Sequence, residues 1–182
     1  MIGSLPESLE VNGKEYAIRT DFRVVLLIFQ ALNDPELSEQ EKASVILGSL
    51  YKNELPEDLQ EAINKAVWFM DGGQTFKGGE KRVMDWEQDE QMIFSAVNKV
   101  AGYETRAKEY IHWWTFLGFF NEIGEGLFST VVNIRKKRNK GKKLDKTEEE
   151  FYKRNREVVN LKKRLSKEEQ RELDEVNRLL GR

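Results

Sequence analysis

The sequence predicts a mainly α-helical bundle with a small N-terminal β-hairpin and an extended C-terminal helical tail. Three observations predict it. Beyond residue 20, apolar residues recur at three- and four-residue spacing. A two-residue alternation flanks Asn12-Gly13 near the start. The aromatic block His112-Trp113-Trp114-Thr115-Phe116-Leu117-Gly118-Phe119 is followed by the dense basic run Arg135-Lys136-Lys137-Arg138. That transition divides the chain into a core domain, 1–134, and a basic, charged, amphipathic tail, 135–182.

Leu9-Glu10-Val11 and Lys14-Glu15-Tyr16-Ala17-Ile18 alternate around Asn12-Gly13. Both turn residues tolerate positive φ, which suits a type I′ hairpin. A lone hairpin is marginal in water, so this one must lie on something. Thr20 or Asp21 caps a first helix through about Leu32, with Val24, Leu27, Ile28 and Ala31 on its inner face. Asp34-Pro35 ends it. Ser38-x-x-Glu41 is a capping box, followed by Val45, Ile46 and Leu50. Pro56 reads as a first-turn proline of a third helix, with Leu59, Ile63, Ala66, Val67 and Met70 inward. Residues 72–79, with four glycines, read as a flexible loop.

Asp85 opens a fourth helix whose buried stripe is Ile93, Phe94, Val97, Val100 and Ala101. Asp85, Glu87, Asp89 and Glu90 sit in its first turns, where the macrodipole favours them. Gly102 ends it. A fifth helix carries the aromatic block, with Tyr110, Trp113, Trp114, Leu117 and Phe120 on one side. Gly124 and Gly126 interrupt it, and Leu127, Val131 and Ile134 lead helically into the basic run. A basic run of this density is expected outside any core. Lys140-Gly141-Lys142-Lys143 reads as a hinge. In the tail, Phe151, Val158, Leu161 and Leu165 form a thin seam of near-heptad spacing. Ser166-x-x-Glu169 is a second capping box, opening a last helix with Leu173, Val176 and Leu180.

Composition narrows the function classes. Of the 182 residues, 34% are charged, against about 25% in an ordinary domain, which favours long solvated helices. The net charge of −2 is a cancellation. Residues 1–134 carry about ten excess negative charges and residues 135–167 about ten excess positive ones. Such a chain can meet acidic partners, or copies of itself, head to tail. With no cysteine there are no disulfides, thiolate metal sites or cysteine nucleophiles. Neither a secretory signal nor a membrane-length apolar run is visible. The expectation is a soluble protein of the cytoplasm with no membrane partner.

No constellation supports catalysis. Asp85-Trp86-Glu87-Gln88-Asp89-Glu90 lacks the glycine and glutamate spacing of a calcium loop. Gly73 and Gly78 have the glycine spacing of a phosphate-binding loop, but Gly79-Glu80 stands where Lys-Ser/Thr is required. His112, the single histidine, fits a hydrogen-bonded structural role. No nucleophile signature is present. The expectation is a non-enzyme without metal or cofactor. The basic run could neutralise phosphates, but it lacks interleaved aromatics and adjoins an acidic domain, so nucleic acid is the lesser reading. The candidates for partner contact are Trp113, Trp114 and Phe116 of the block, Arg135, Lys136, Lys137 and Arg138 of the run, and Phe151, Val158, Leu161 and Leu165 of the seam. Large aromatics serve cores and interfaces alike, and the sequence does not divide the two.

Several segments together resemble the phage family called gene product fifteen, encoded in the tail-morphogenesis region of tailed bacteriophages and prophages. They are Leu5-Pro6 and the hairpin into Ile18-Arg19-Thr20-Asp21-Phe22-Arg23, and Asp85-Trp86-Glu87-Gln88-Asp89. With them go Ala101-Gly102-Tyr103-Glu104-Thr105-Arg106, Ile111-His112-Trp113-Trp114-Thr115-Phe116, and Ile134-Arg135-Lys136-Lys137 through Lys142-Lys143-Leu144. The resemblance implies a tail assembly chaperone in the host bacterial cytoplasm. Its expected partners are the tape-measure protein and the tail-tube protein, with self-association through the tail. It implies no catalytic residues. The remaining alternatives are a structural tail component retained in the virion and a nucleic-acid-binding accessory protein.

Overall fold

The computed structural model describes residues 2–74 and 81–179. It is mainly helical, with one two-stranded antiparallel sheet at the N-terminus. β1 (Ser8–Val11) and β2 (Lys14–Ala17) pair from Ser8↔Ala17 to Val11↔Lys14. Asn12 and Gly13 lie at φ 50° and 81°, the pair of positive angles that a type I′ turn needs. Leu9, Val11 and Tyr16 are buried, and β1 lies against the third helix. The hairpin thus borrows the helical core that it cannot supply itself.

α1 (Phe22–Leu32) starts at Asp21, whose carboxylate accepts the Arg23 N–H. Its inner face is Phe22, Val25 and Ile28. The expected face is turned, because Leu27 is 60% exposed; Phe22, which stacks on Phe116, sets the rotation. α2 (Glu39–Leu50) carries the expected Ser38/Glu41 capping box and buries Ile46, Leu47 and Leu50. Its end is joined to the chain after β2 by Arg19 N–H to Leu50 C=O and Lys52 N–H to Ala17 C=O.

α3 (Leu59–Met70) is capped by Asp58, which accepts the Glu61 N–H. Pro56 therefore precedes the cap instead of sitting in the first turn, since an Asp side chain can satisfy the free N–H groups and a proline cannot. Ala62, Ala66, Phe69 and Met70 are buried, while Leu59 and Val67 face outward. The loop expected over residues 72–79 falls largely outside the described residues, as does Leu180.

α4 (Glu90–Ala101) begins five residues later than expected. Asp85 is instead the pivot of a turn: its Oδ1 accepts the N–H groups of Glu87 and Gln88. Ile93, Phe94 and Val97 are buried, and Gly102 at φ 77° closes the helix. α5 (Trp113–Asn121) follows a 3-10 turn at Thr105–Ala107 and buries Trp113 and Phe116. Tyr110 lies before α5 and is exposed, its hydroxyl 2.7 Å from Thr20 Oγ1. Residues 20–23 are knitted to residues 106–113 throughout. Trp113 N–H donates to Thr20 C=O, Phe22 N–H to Ile111 C=O, Ile111 N–H to Asp21, and Arg23 to the carbonyls of Arg106 and Lys108.

α6 (Leu127–Asn139) runs unbroken through the basic residues. It stops in a Schellman turn: Lys142 N–H reaches Lys137 C=O, Gly141 N–H reaches Arg138 C=O, and Gly141 sits at φ 65°. α7 (Lys146–Arg154) has a capping box, Asp145/Glu148, that the sequence reading passed over. α8 (Arg156–Val159) is one turn, and residues 160–166 are not helical. The expected heptad seam therefore does not lie on one helix. Phe151 and Val158 belong to different helices, and Leu161 and Leu165 to the connection that follows. α9 (Lys167–Leu179) opens at the expected Ser166/Glu169 box and buries none of its side chains.

Two apolar clusters result among the described residues. The larger gathers residues from Leu9 to Phe128 around Phe22, Phe69, Trp113 and Phe116. The smaller consists of Val131 and Ile134 of α6 with Val159 of α8, flanked by Leu144, Phe151 and Tyr152.

Candidate functional site

The aromatic block is built from its first residue. His112 is 4% exposed and caps α5, its Nδ1 accepting the Trp114 N–H. Nε2 must then carry the proton, and it donates to Pro6 C=O at 3.0 Å. Both ring nitrogens are thus engaged in structural bonds. Trp113 is 1% exposed and donates its indole N–H to Met70 C=O, and Trp114 donates to Phe69 C=O. Phe116 stacks on Phe22 with ring centres 4.4 Å apart. Trp113 and Phe116 are core, and Trp114 is half-buried. The α3 end passes close beneath it: a Cβ on Gly73 would stand 2.9 Å from the Trp114 ring, and Gly73 is at φ 80°. Beside it, burial pushes the Asp71 carboxyl above its ordinary pKa.

The basic run makes a different construction. Arg135 is 5% exposed, against the expectation for a charged run. All five of its N–H groups are used. Two bind Asp89 as a fork at 2.5 and 2.9 Å, and the other three reach the carbonyls of Val83, Val158 and Val159. A buried guanidinium is tolerable only with such complete pairing.

Around this pair the turn 85–89 holds the chain segment after α8. Gln88 accepts the Lys162 N–H at 2.9 Å and donates to Asn160 C=O at 2.8 Å, so its amide pairs with the backbone as a strand would. Arg82 donates to Lys162 C=O and to Asp85. Arg164 binds Asp85 at 2.9 Å and also contacts Glu87. Burial opposes ionisation of Asp85, yet the Gln88 and Glu87 N–H groups and the Arg164 guanidinium hold its carboxyl below the usual range. The same carboxylates hold Arg164 further into its charged form against its own desolvation. Among the described residues no three histidine, aspartate or glutamate side chains converge to hold a metal ion. No helix there is long and apolar enough to cross a membrane.

The sequence model of the family described as Bacteriophage Gp15 protein matches residues 1–161. The chain belongs to that family. No curated protein and no solved structure matches it. Family membership marks a phage structural or morphogenesis protein. The matched span holds the hairpin, the aromatic block, the turn 85–89 and Arg135, and it ends at Leu161 inside the clasped segment. α9 lies beyond it.

Within this Gp15 family member the candidate residues separate. Trp113, Phe116 and Arg135 are buried, and Trp114, Phe151, Leu161 and Leu165 are half-buried. Lys136, Arg138 and Val158 are exposed. Lys137 pairs with Glu148 and Arg138 lies 4.1 Å over the Tyr152 ring, so the run binds its own tail at both positions. The aromatic block and the clasp sit in separate clusters. The sequence reading missed Arg82, Gln88, Asp89 and Arg164 as a group. The signal was the acidic pair Asp85 and Asp89, four residues apart, opposite a strongly basic segment. The macrodipole account of those acids concealed it.

Proposed function

We propose that the protein is a non-enzymatic phage tail assembly chaperone of the host bacterial cytoplasm. It binds the tape-measure protein, helps recruit tail-tube subunits and self-associates through its C-terminal tail. Membership of the Bacteriophage Gp15 family over residues 1–161 carries this reading. A surface groove of about 490 Å³ between α4 and the α5–α6 connection supports it. Met92, Ala96, Val100, Ile123, Leu127 and Phe128 line it, with Leu127 54% exposed. A helix of a long apolar client fits such a groove by its i, i+3, i+4 face. Co-expression with the tape-measure protein tests the proposal. The expected result is a gain in client solubility and co-purification, both reduced by Val100→Glu with Leu127→Glu. No gain and no co-purification overturn it. Mass spectrometry of purified particles separates the chaperone, which is absent from them, from a structural tail component, which is retained.

A further inference from the structure

We propose that Arg82, Asp85, Gln88, Asp89 and Arg135 form a receptor for a helix end and the non-helical residues that follow it, filled in cis by residues 158–164 and filled in trans by the same segment of a second copy. This gives the self-association proposed above a site, and it does not depend on the tape-measure reading.

The contacts have the form of peptide recognition. Five main-chain groups of residues 158–162 are bound by side chains of the body. Arg135 takes the carbonyls of Val158 and Val159, Gln88 takes Asn160 C=O and Lys162 N–H, and Arg82 takes Lys162 C=O. Two side chains fix the register. Val159 enters the apolar site of Val131 and Ile134, and Arg164 reaches Asp85 and Glu87. Arg135 thus caps the free end carbonyls of α8, and Gln88 and Arg82 hold the main chain of the non-helical residues after it, with side-chain anchors at separated positions as in peptide recognition.

The occupant can leave without unfolding the rest. The larger core draws on residues no later than Phe128 for its buried members, whereas α7 and the docked segment together give the smaller cluster one fully buried side chain, Val159, with Phe151 and Tyr152 partly buried at its edge. Such a unit opens at a fraction of the global free energy. The connection between α6 and α7 passes Gly141, at positive φ, in an exposed stretch of residues 138–143. A second copy presents an identical segment, so each contact broken in cis is remade in trans, and exchange of an identical element is a low-cost route to dimers. The charge division of the chain, acidic before residue 135 and basic after it, draws receptor and segment of different copies together. Cis docking prevails in dilute solution, where the tether supplies the higher effective concentration, and trans docking as the protein concentration rises.

Two complementary variants test this. Arg82→Glu with Glu87→Lys and Gln88→Ala breaks the receptor and leaves the segment. Val159→Asp with Arg164→Glu breaks the segment and leaves the receptor. Each alone is expected to be monomeric by light scattering, and their equimolar mixture to form a complex of one copy of each. A mixture that stays monomeric while both variants keep their helical circular dichroism overturns the proposal. A second measurement needs no variant. Excess synthetic peptide spanning residues 155–166 displaces the resident segment of the full-length chain, and the Lys162 amide exchanges at least ~10-fold faster. Unchanged Lys162 exchange under saturating peptide also overturns it. Neither measurement involves the tape-measure protein, so its failure is distinct from failure of the chaperone reading.

Discussion

The aromatic core and the clasp hold the same chain by opposite means. Around Trp113 and Phe116 cohesion comes chiefly from buried ring area, to which the bonds of the indoles and of the knit between residues 20–23 and 106–113 are added. Around Arg135 little apolar area is buried, and cohesion comes from directed bonds between charges, an amide and main-chain carbonyls. Apolar burial contains no titrating group and is not weakened by ionic screening. A network of carboxylates and guanidinium groups, some of them partly exposed, responds to both. The difference teaches which half of the molecule can be reversible.

Perturbations of each region sharpen that contrast. The largest effect is expected from Trp113→Ala, about 5 kcal/mol of unfolding free energy by urea titration, because a large cavity opens and the Met70 carbonyl loses its donor. Arg135→Met should cost about 3 kcal/mol, since it strands Asp89 at 0% side-chain exposure. Pairing it with Asp89→Leu should recover part of that loss, the Asp85 N–H and the carbonyls that Arg135 served being left without those partners, and a double variant no better than the single one would contradict the account. A cut of the chain after Ile134 removes Arg135 and should destabilise the body in the same way; a cut after Leu144 keeps the pair.

Acid should open the clasp before the core. Asp85 is held below the ordinary carboxylate range, so its contribution is complete above that range and is lost as pH falls through its lowered folded value. Exchange at the Lys162 amide is therefore expected to rise below about pH 4 while tryptophan emission stays native. Simultaneous loss of both signals would mean one cooperative unit. Gly73→Ala should cost about 1–2 kcal/mol in thermal unfolding, from positive φ and contact with the Trp114 ring. The smallest effect belongs to Asp145→Ala. Losing the α7 capping box should cost about 1 kcal/mol and act on the clasp side alone, as residue-resolved hydrogen exchange would show.

What the sequence disclosed follows from the range of the interactions. Ser38/Glu41, Ser166/Glu169, Asn12-Gly13 and the Gly102 stop are set by neighbours a few residues apart, and all four are where the pattern puts them. The rotation of α1 depends on Phe116, and the burial of Arg135 on Asp89, 46 residues away in the chain. Periodicity carries no information on such partners. Periodicity puts Leu27 in the core, whereas a rotation of about 100°, one residue position, buries Phe22 and Val25 beside Ile28. The zipper seam is interrupted at Asn155 and over the non-helical residues 160–166. The basic run was read by composition, which cannot tell a solvated arginine from one whose five donors are all taken.

The knit between residues 20–23 and 106–113 has a consequence for biosynthesis. Thr20, Asp21 and Arg23, with Pro6 through His112, find their partners only after some ninety further residues have been made. As the chain emerges from the ribosome, the hairpin and first helix must wait, with Phe22 and its apolar face uncovered, until the aromatic block arrives. Folding of the larger core is then a late, concerted event, completed only when Phe128 of α6 has also emerged. A nascent chain arrested near residue 105 should be protease-sensitive at its N-terminus, and one arrested with Phe128 outside the exit tunnel should not.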